Sequence, residues 1–207
     1  EKPINPFYAR FSLRTDGYLE RWSSRWSIAT GEAPIHIYDA LLAIYDTERP
    51  QTYFEGTVIY TDARIDPGFE LSIVGAADGT RLWAGIPRQL AGSEKLEPAD
   101  AAFNRRFVVR SNDADFARSW LTAERTAAIR RFADKVECLR DPDPCKIAIV
   151  VHRSILFVAL DLRGYLLPTD FNYRDADKAV PLVLDALTIV DHATDRLLPV
   201  LRGTGLQ

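Results

Sequence analysis

The sequence predicts an α+β fold: an antiparallel or mixed sheet with helices packed on one face. Three observations predict it. The first half is built of short runs rich in β-branched and aromatic residues, the second half follows the order β-α-α-β-β-α, and a long amphipathic stretch closes the chain.

Residues 1–34 form an aromatic-rich N-terminal segment containing Phe7, Tyr8, Phe11, Tyr18, Trp22 and Trp26. Tyr18, Trp22 and Trp26 recur at intervals of four, as one stripe of a helix would, with Asp16 or Gly17 just before it. Core filling against a sheet is the simplest role for such rings. Docking to a membrane surface or to a neighbouring segment, and stacking on a sugar or other ligand, stay open, with Arg21 and Arg25 beside the rings as candidate polar contacts.

From residue 35 a single α+β domain is expected to run to 207, with a strand-rich subregion at 35–90 and a β-α-α-β-β-α subregion at 103–207. The runs Ile35–Tyr38, Leu41–Tyr45, Tyr53–Tyr60, Phe69–Val74 and Arg81–Ile86 read as antiparallel strands or a partly open barrel-like sheet. Residues 87–104, with Pro87, Gly92 and Pro98, read as the connection between the subregions. Phe107–Arg110 is then a strand, Ser111-Asn112-Asp113 supplies caps for a short helix through Trp120, and Thr122 caps a longer helix carrying Ile129, Phe132, Ala133 and Val136. Lys146–Val151 and Ile155–Leu160 form a tight hairpin around His152-Arg153-Ser154. The last helix begins near Asp175. Val180, Val183, Leu184, Leu187, Val190 and Leu197 are assigned to its apolar stripe, and Asp185, Asp191 and Asp195 to its other face. Pro181 is tolerated only in its first turns.

Composition narrows the function. With 207 residues, 47% hydrophobic and 27% charged, the chain can bury a sizeable core. A net charge of −3 gives no electrostatic reason to expect nucleic acid, which calls for a concentrated basic surface. No apolar run approaches the roughly 20 residues that span a bilayer. The chain begins at Glu1 and contains no Met, so a processed chain or a fragment is expected, with a membrane anchor upstream as one possibility.

The two cysteines, Cys138 and Cys145, flank a stretch holding Pro142 and Pro144. Two free thiols and a local disulfide both fit, and a bridge would imply an oxidising compartment. Metal and redox roles are disfavoured, since neither the Cys-x-x-Cys spacing nor further zinc ligands are present.

Catalytic motifs fail in turn. Gly-x-Ser-x-Gly is absent, and Gly92-Ser93-Glu94 lacks the second glycine. No two of His36, His152 and His192 have the spacing that places imidazoles on one helical turn, so no metal site is expected and ordinary surface or edge histidines are. His152 is the least ordinary, near Asp161 and Cys145. Asp62, Asp66, Asp170 and Asp175 fall near element ends, where capping and turns explain them; they are also the acids from which a glycosidase pair would be drawn. Phosphate-binding glycine loops are missing, and Gly75–Gly79 reads as a turn between strands. No cofactor is expected. Arg105, Arg106, Arg110, Arg118, Arg125, Arg130 and Arg131 make a modest basic cluster. An ion-paired face with Asp134, Lys135 and Glu137 is its simplest reading, and a small anion-binding patch the alternative.

The stretch Phe103–Thr122, with Phe107-Val108-Val109 as its strand, Asp113 at the break and Ala117 and Leu121-Thr122 in its helical part, resembles a family of uncharacterised bacterial membrane-associated proteins. The hairpin Lys146–Leu160, the terminal helix through Asp191, and upstream Phe54–Ile59 and Asp66–Phe69 are similar in order, so the resemblance spans about residues 50 to 198. It implies fold organisation and membrane association, and no residue role. Whether the chain is an enzyme is left open. The leading expectation is a soluble, non-enzymatic interaction or structural module of a bacterial membrane-associated protein, with an unknown protein partner or a membrane surface as its counterpart. The alternatives are a hydrolase with a dispersed histidine and carboxylate site, and a small-ligand or anionic lipid-headgroup binder using Trp22, Trp26, Arg21 and Arg25.

Overall fold

The computed structural model describes residues 18–28, 33–44, 51–75, 94–98, 100–140, 146–162, 166 and 176–203. Its strands are β1 (Tyr18–Ile28), β2 (Ile35–Ile44), β3 (Gln51–Asp62), β4 (Leu71–Gly75), β5 (Glu94–Leu96), β6 (Phe107–Ser111), β7 (Lys146–His152) and β8 (Ile155–Asp161). Its helices are α1 (Ala101–Arg106), α2 (Ala114–Trp120), α3 (Ala123–Arg140), α4 (Ala176–Asp191) and α5 (Leu198–Arg202), with a π-helical segment (His192–Leu197) between the last two. The strands form one sheet in the order β1-β2-β3-β8-β7-β4-β6-β5, every neighbouring pair antiparallel. The expected α+β class is what the chain adopts. The expected subregions interleave within that sheet: β3 pairs with β8, and β4 lies between β7 and β6.

Alternation decides the helix-bearing face. Ile35, Ile37, Ile59, Leu71, Ile73, Phe107, Val109, Ile147, Ile149, Val151, Leu156, Val158 and Leu160 join one core with Phe103, Ile129, Phe132 and Val136 of the helices. Phe103, Phe132 and Phe157 are among the largest side chains that are fully buried; burial of such a ring contributes about 1.5–3 kcal/mol. The other face carries a row of rings. His36 stacks on Tyr60 at 4.8 Å, and Tyr60 also meets Tyr38 at 5.5 Å and Phe157 at 5.8 Å, with the Tyr38 and Tyr60 hydroxyls 2.9 Å apart.

Local chemistry sets the element ends. Asp113 caps α2 by accepting the Phe116 N–H at 2.9 Å, and the Thr122 hydroxyl accepts the Arg125 N–H at 3.2 Å at the head of α3, as expected. The β7–β8 turn is narrower than His152–Ser154: His152 still pairs with Ile155, and Arg153 and Ser154 turn the chain at φ 48° and 64°. Positive φ at both positions is the geometry that matches the twist of flanking strands. Ser154 anchors it, its carbonyl accepting the Ala63 N–H and its hydroxyl donating to the Ile65 carbonyl, both at 2.7 Å.

Several expectations are corrected. Tyr18–Trp26 lies in strand β1, not in a helix. A four-residue recurrence is even and suits an alternating strand as well as a helical turn, and pairing with β2 decides between them. Ile35–Ile44 is one continuous strand. Within 87–104, β5 and α1 are formed where only a connection was expected, with Asp100 capping α1 through the Ala102 and Phe103 N–H groups at 2.9 and 3.0 Å. The expected strand Arg81–Ile86 lies outside the described residues.

Candidate docking face

Among the described residues, the terminal helix holds the least ordinary surface. Its buried side is formed by Ala186, Ile189 and Val190, continued by Ala193 and Leu197 in the π segment. The expected inward stripe is therefore corrected: Val180, Leu184 and Leu187 are 49%, 58% and 46% exposed, Leu182 and Pro181 are exposed too, and Val183 is half-buried. A helix apolar on both sides leaves periodicity unable to choose its inner face. The core takes the face whose small Ala186 and Ala193 allow close approach to α3.

The outward residues are ordered. Asp177, Val180, Leu184, Leu187 and Asp191 follow a 3-4-3-4 spacing along one side of α4, and both aspartates are exposed. That spacing is the seam along which a second helix packs, with polar residues at seam positions fixing register. At about 1.5 Å rise per residue the seam is about 21 Å long. Lys178, the one cation in the sequence of α4, falls off this line.

Beyond Asp191 the helix widens. The Leu198 N–H reaches the Ala193 carbonyl, a five-residue bond, directly before Pro199. Proline cannot donate to the preceding turn and crowds its carbonyl, and a wider turn relieves both. His192 is half-buried there, its pKa held below the ordinary histidine value by burial first, then by Lys135 and Arg196, with Asp191 opposing and Arg131 adding to the repulsion. Gly203 ends α5 at φ 72°, donating to the Pro199 and Val200 carbonyls. Arg125 fastens this end to α3: its Nε donates to the Val200 carbonyl at 3.2 Å, a terminal nitrogen donates to the Trp120 carbonyl at 2.8 Å, and the guanidinium lies 4.7 Å from the Trp120 ring centre.

Those residues singled out in the sequence that are described lie on separate elements. Arg21, Trp22, Arg25 and Trp26 lie on β1 opposite Leu41, Ala40, Tyr38 and Ile37, and their side chains lie outside what is described. The register shifts between Trp22 and Ser24. Cys138 is an exposed free thiol near the end of α3, on the side away from buried Phe132 and Val136, which corrects the bridged alternative; Cys145 lies outside the described residues.

His36 Nδ1 lies 2.9 Å from the Ser27 hydroxyl. His152 Nδ1 lies 2.8 Å from Glu70 Oε1, a partner that only the β7–β4 register reveals. Glu70 is itself fixed by its backbone: the Asn112 side chain accepts its N–H at 2.8 Å, and its carbonyl accepts the Ser111 hydroxyl at 2.7 Å. The pair ties the hairpin to β4. Asp62 and Asp66 accept the N–H groups of Arg64 and Gly68 at 2.8 and 2.7 Å, as turn-forming acids do. Asp170 and Asp175 lie outside the described residues. Arg106 binds Asp134 and, at 2.7 Å, Glu137, while Arg130 lies 3.4 Å from Asp100 and Arg118 3.0 Å from Asp115. For Arg106, burial opposes the charge, but the two carboxylates outweigh it and hold its pKa raised. The ion-paired reading of the basic cluster fits these contacts.

Among the described residues no group of three or more His, Cys, Asp or Glu side chains is placed to hold a metal ion, and no helix is long and apolar enough to cross a membrane. No protein-family model matches the chain, and no curated protein matches it. Among solved structures, the chain is weakly similar to the mycobacterial trehalose monomycolate transport factor A, TtfA. The TM-score is 0.35 at 14% sequence identity, covering 83% of this chain and 73% of that chain. The relation is weak and structural, and it assigns neither ligand nor reaction.

Proposed function

We propose that the chain is a non-enzymatic interaction module that docks a protein partner through the outward face of α4. One observation carries it: the exposed apolar seam Val180, Leu184 and Leu187, on a helix whose opposite side buries Ala186, Ile189 and Val190 in the core. Contiguous exposed apolar residues of this size mark interaction surfaces, because leaving them in water forfeits about 25 cal/mol per Å² that a partner would recover. Placement beside a membrane rests on the sequence resemblance alone.

A photo-crosslinking residue at position 180 of the protein in its own cells tests the reading. Adducts are expected with the wild-type seam and are expected to vanish with Leu187→Asp, which leaves the exposed helix folded. No adduct at position 180, or one indifferent to Leu187→Asp, refutes docking at this face.

A further inference from the structure

We infer that the segment docked on α4 is a basic amphipathic helix of about 15 residues. This rests on the docking reading above and names the chemistry of the partner. Two features of the face select it. The 3-4-3-4 order of apolar positions is complementary to another helix lying alongside, and not to an extended strand, whose side chains repeat every two residues. Asp177 and Asp191 close the two ends of the apolar run, while the positions of Lys178 and Asp185, seven residues apart on another side of the helix, stand off the line together. A seam that ends in acid accepts Lys or Arg at the matching ends of its partner and repels acid there.

The same charges argue against the other occupants. An anionic lipid surface draws helices with basic rims, and α4 presents an acidic one. A second copy laid across a two-fold axis would bring Asp177 or Asp191 against its own kind. Arg131, Lys135 and Arg196 gather about His192, just past Asp191, so the acidic character is strongest at the Asp177 end. The basic end of the partner is accordingly placed there.

The experiment is an anisotropy titration of the full chain with two labelled synthetic helices of equal length and equal leucine seam, one flanked by Lys and one by Glu. The Lys peptide is expected to bind at least about tenfold more tightly, an advantage that shrinks as salt is raised. Asp177→Lys with Asp191→Lys is expected to reverse the preference. Leu184→Asp is expected to abolish binding of both peptides, with an unchanged circular dichroism spectrum. Equal affinity for the two peptides, or stronger binding of the Glu peptide, overturns the basic-partner inference while the docking reading stands. Binding of neither peptide, together with no crosslink at position 180, overturns both. Sedimentation with vesicles of anionic lipid that is lost in Leu184→Asp, or dimerisation lost in the same variant, overturns the helical partner in favour of that occupant.

Discussion

Gly56 offers the sharpest test of the sheet. A Cβ on this residue would lie 1.8 Å from the Leu160 carbonyl oxygen, 2.9 Å from its carbon and 3.0 Å from the Leu162 nitrogen. All three neighbours are backbone, so no side chain can rotate away. Restoring an ordinary separation of about 3.5 Å requires about 1.7 Å of strand displacement in the β3–β8 pair, at the centre of the sheet. That displacement strains the ladder at Gly56–Asp161 and Thr57–Leu160 and the bond from the Leu162 N–H to the Glu55 carbonyl at 3.1 Å. Two or three weakened hydrogen bonds at about 1 kcal/mol each, plus about 1–3 kcal/mol of overpacking, are offset by less than about 1 kcal/mol from the stiffer unfolded chain.

Gly56→Ala is therefore expected to cost about 3 kcal/mol, which for a chain of this size lowers the melting temperature by about 6–12 °C. Gly75→Ala is the internal control, since a Cβ there would meet only Ile147 backbone atoms at 3.8 and 4.0 Å. It is expected to change stability by less than about 1 kcal/mol in either direction. Urea unfolding of the three proteins compares them directly. A Gly56→Ala loss below about 1 kcal/mol, or equal losses at the two glycines, would refute the close approach of β3 and β8.

Three further outcomes follow from buried and half-buried polar groups. Asp39 is buried in the core, accepting from the wholly buried Thr57 hydroxyl and from the Leu166 N–H at 3.3 Å, so Asp39→Ala should cost about 2–4 kcal/mol in chemical denaturation while Asp39→Asn, which keeps an acceptor oxygen, retains most of it. Arg125→Ala should cost about 2 kcal/mol by the same assay, and Arg125→Lys should recover less than half, because an ammonium cannot span two carbonyls and a ring as the planar fork does; equal stability of Lys and Arg forms would contradict this. The depressed pKa of His192 means that the unfolded chain takes up the proton first as pH falls through 6.5, so its stability contribution is full above that value, declines below it and levels off under the folded pKa. His192→Gln should flatten the stability–pH curve between about pH 7 and pH 5, and parallel curves for the two proteins would count against it.

How far the fold was legible depended on whether its cause was local. Asp113 and Thr122 announce helix starts because a cap acts within three residues, and the β7–β8 hairpin reads out because both runs are continuous and apolar. The strand nature of β1 was hidden, because Tyr18, Trp22 and Trp26 satisfy two periods at once and the deciding partner, β2, comes later in the chain. Asp100 was a visible cap obscured by Pro87, Gly92 and Pro98, which suggested only a connection. The Glu70–His152 pair depends on the register of β4 against β7, which no local pattern encodes. The seam of α4 was present in the spacing but was assigned inward, since Ile189 and Val190 compete with Leu184 and Leu187 for the same apolar role.

That competition also bears on how the face is used. A helix needs one apolar side to join a core, and α4 obtains it from Ala186, Ile189 and Val190 without the leucines. Val180, Leu184 and Leu187 consequently leave about half of their surface uncovered by the fold. Aspartates at both ends of their line limit what they can meet. A lipid surface of negative charge is repelled, self-pairing sets carboxylate against carboxylate, and a helix with a basic end gains most at Asp177. On the reading proposed above an anionic membrane is met elsewhere than on α4, so reversing Asp177 and Asp191 to lysine should create vesicle binding at this helix. Unchanged sedimentation of that variant with anionic vesicles would show that the seam, and not its acidic ends, sets what docks there.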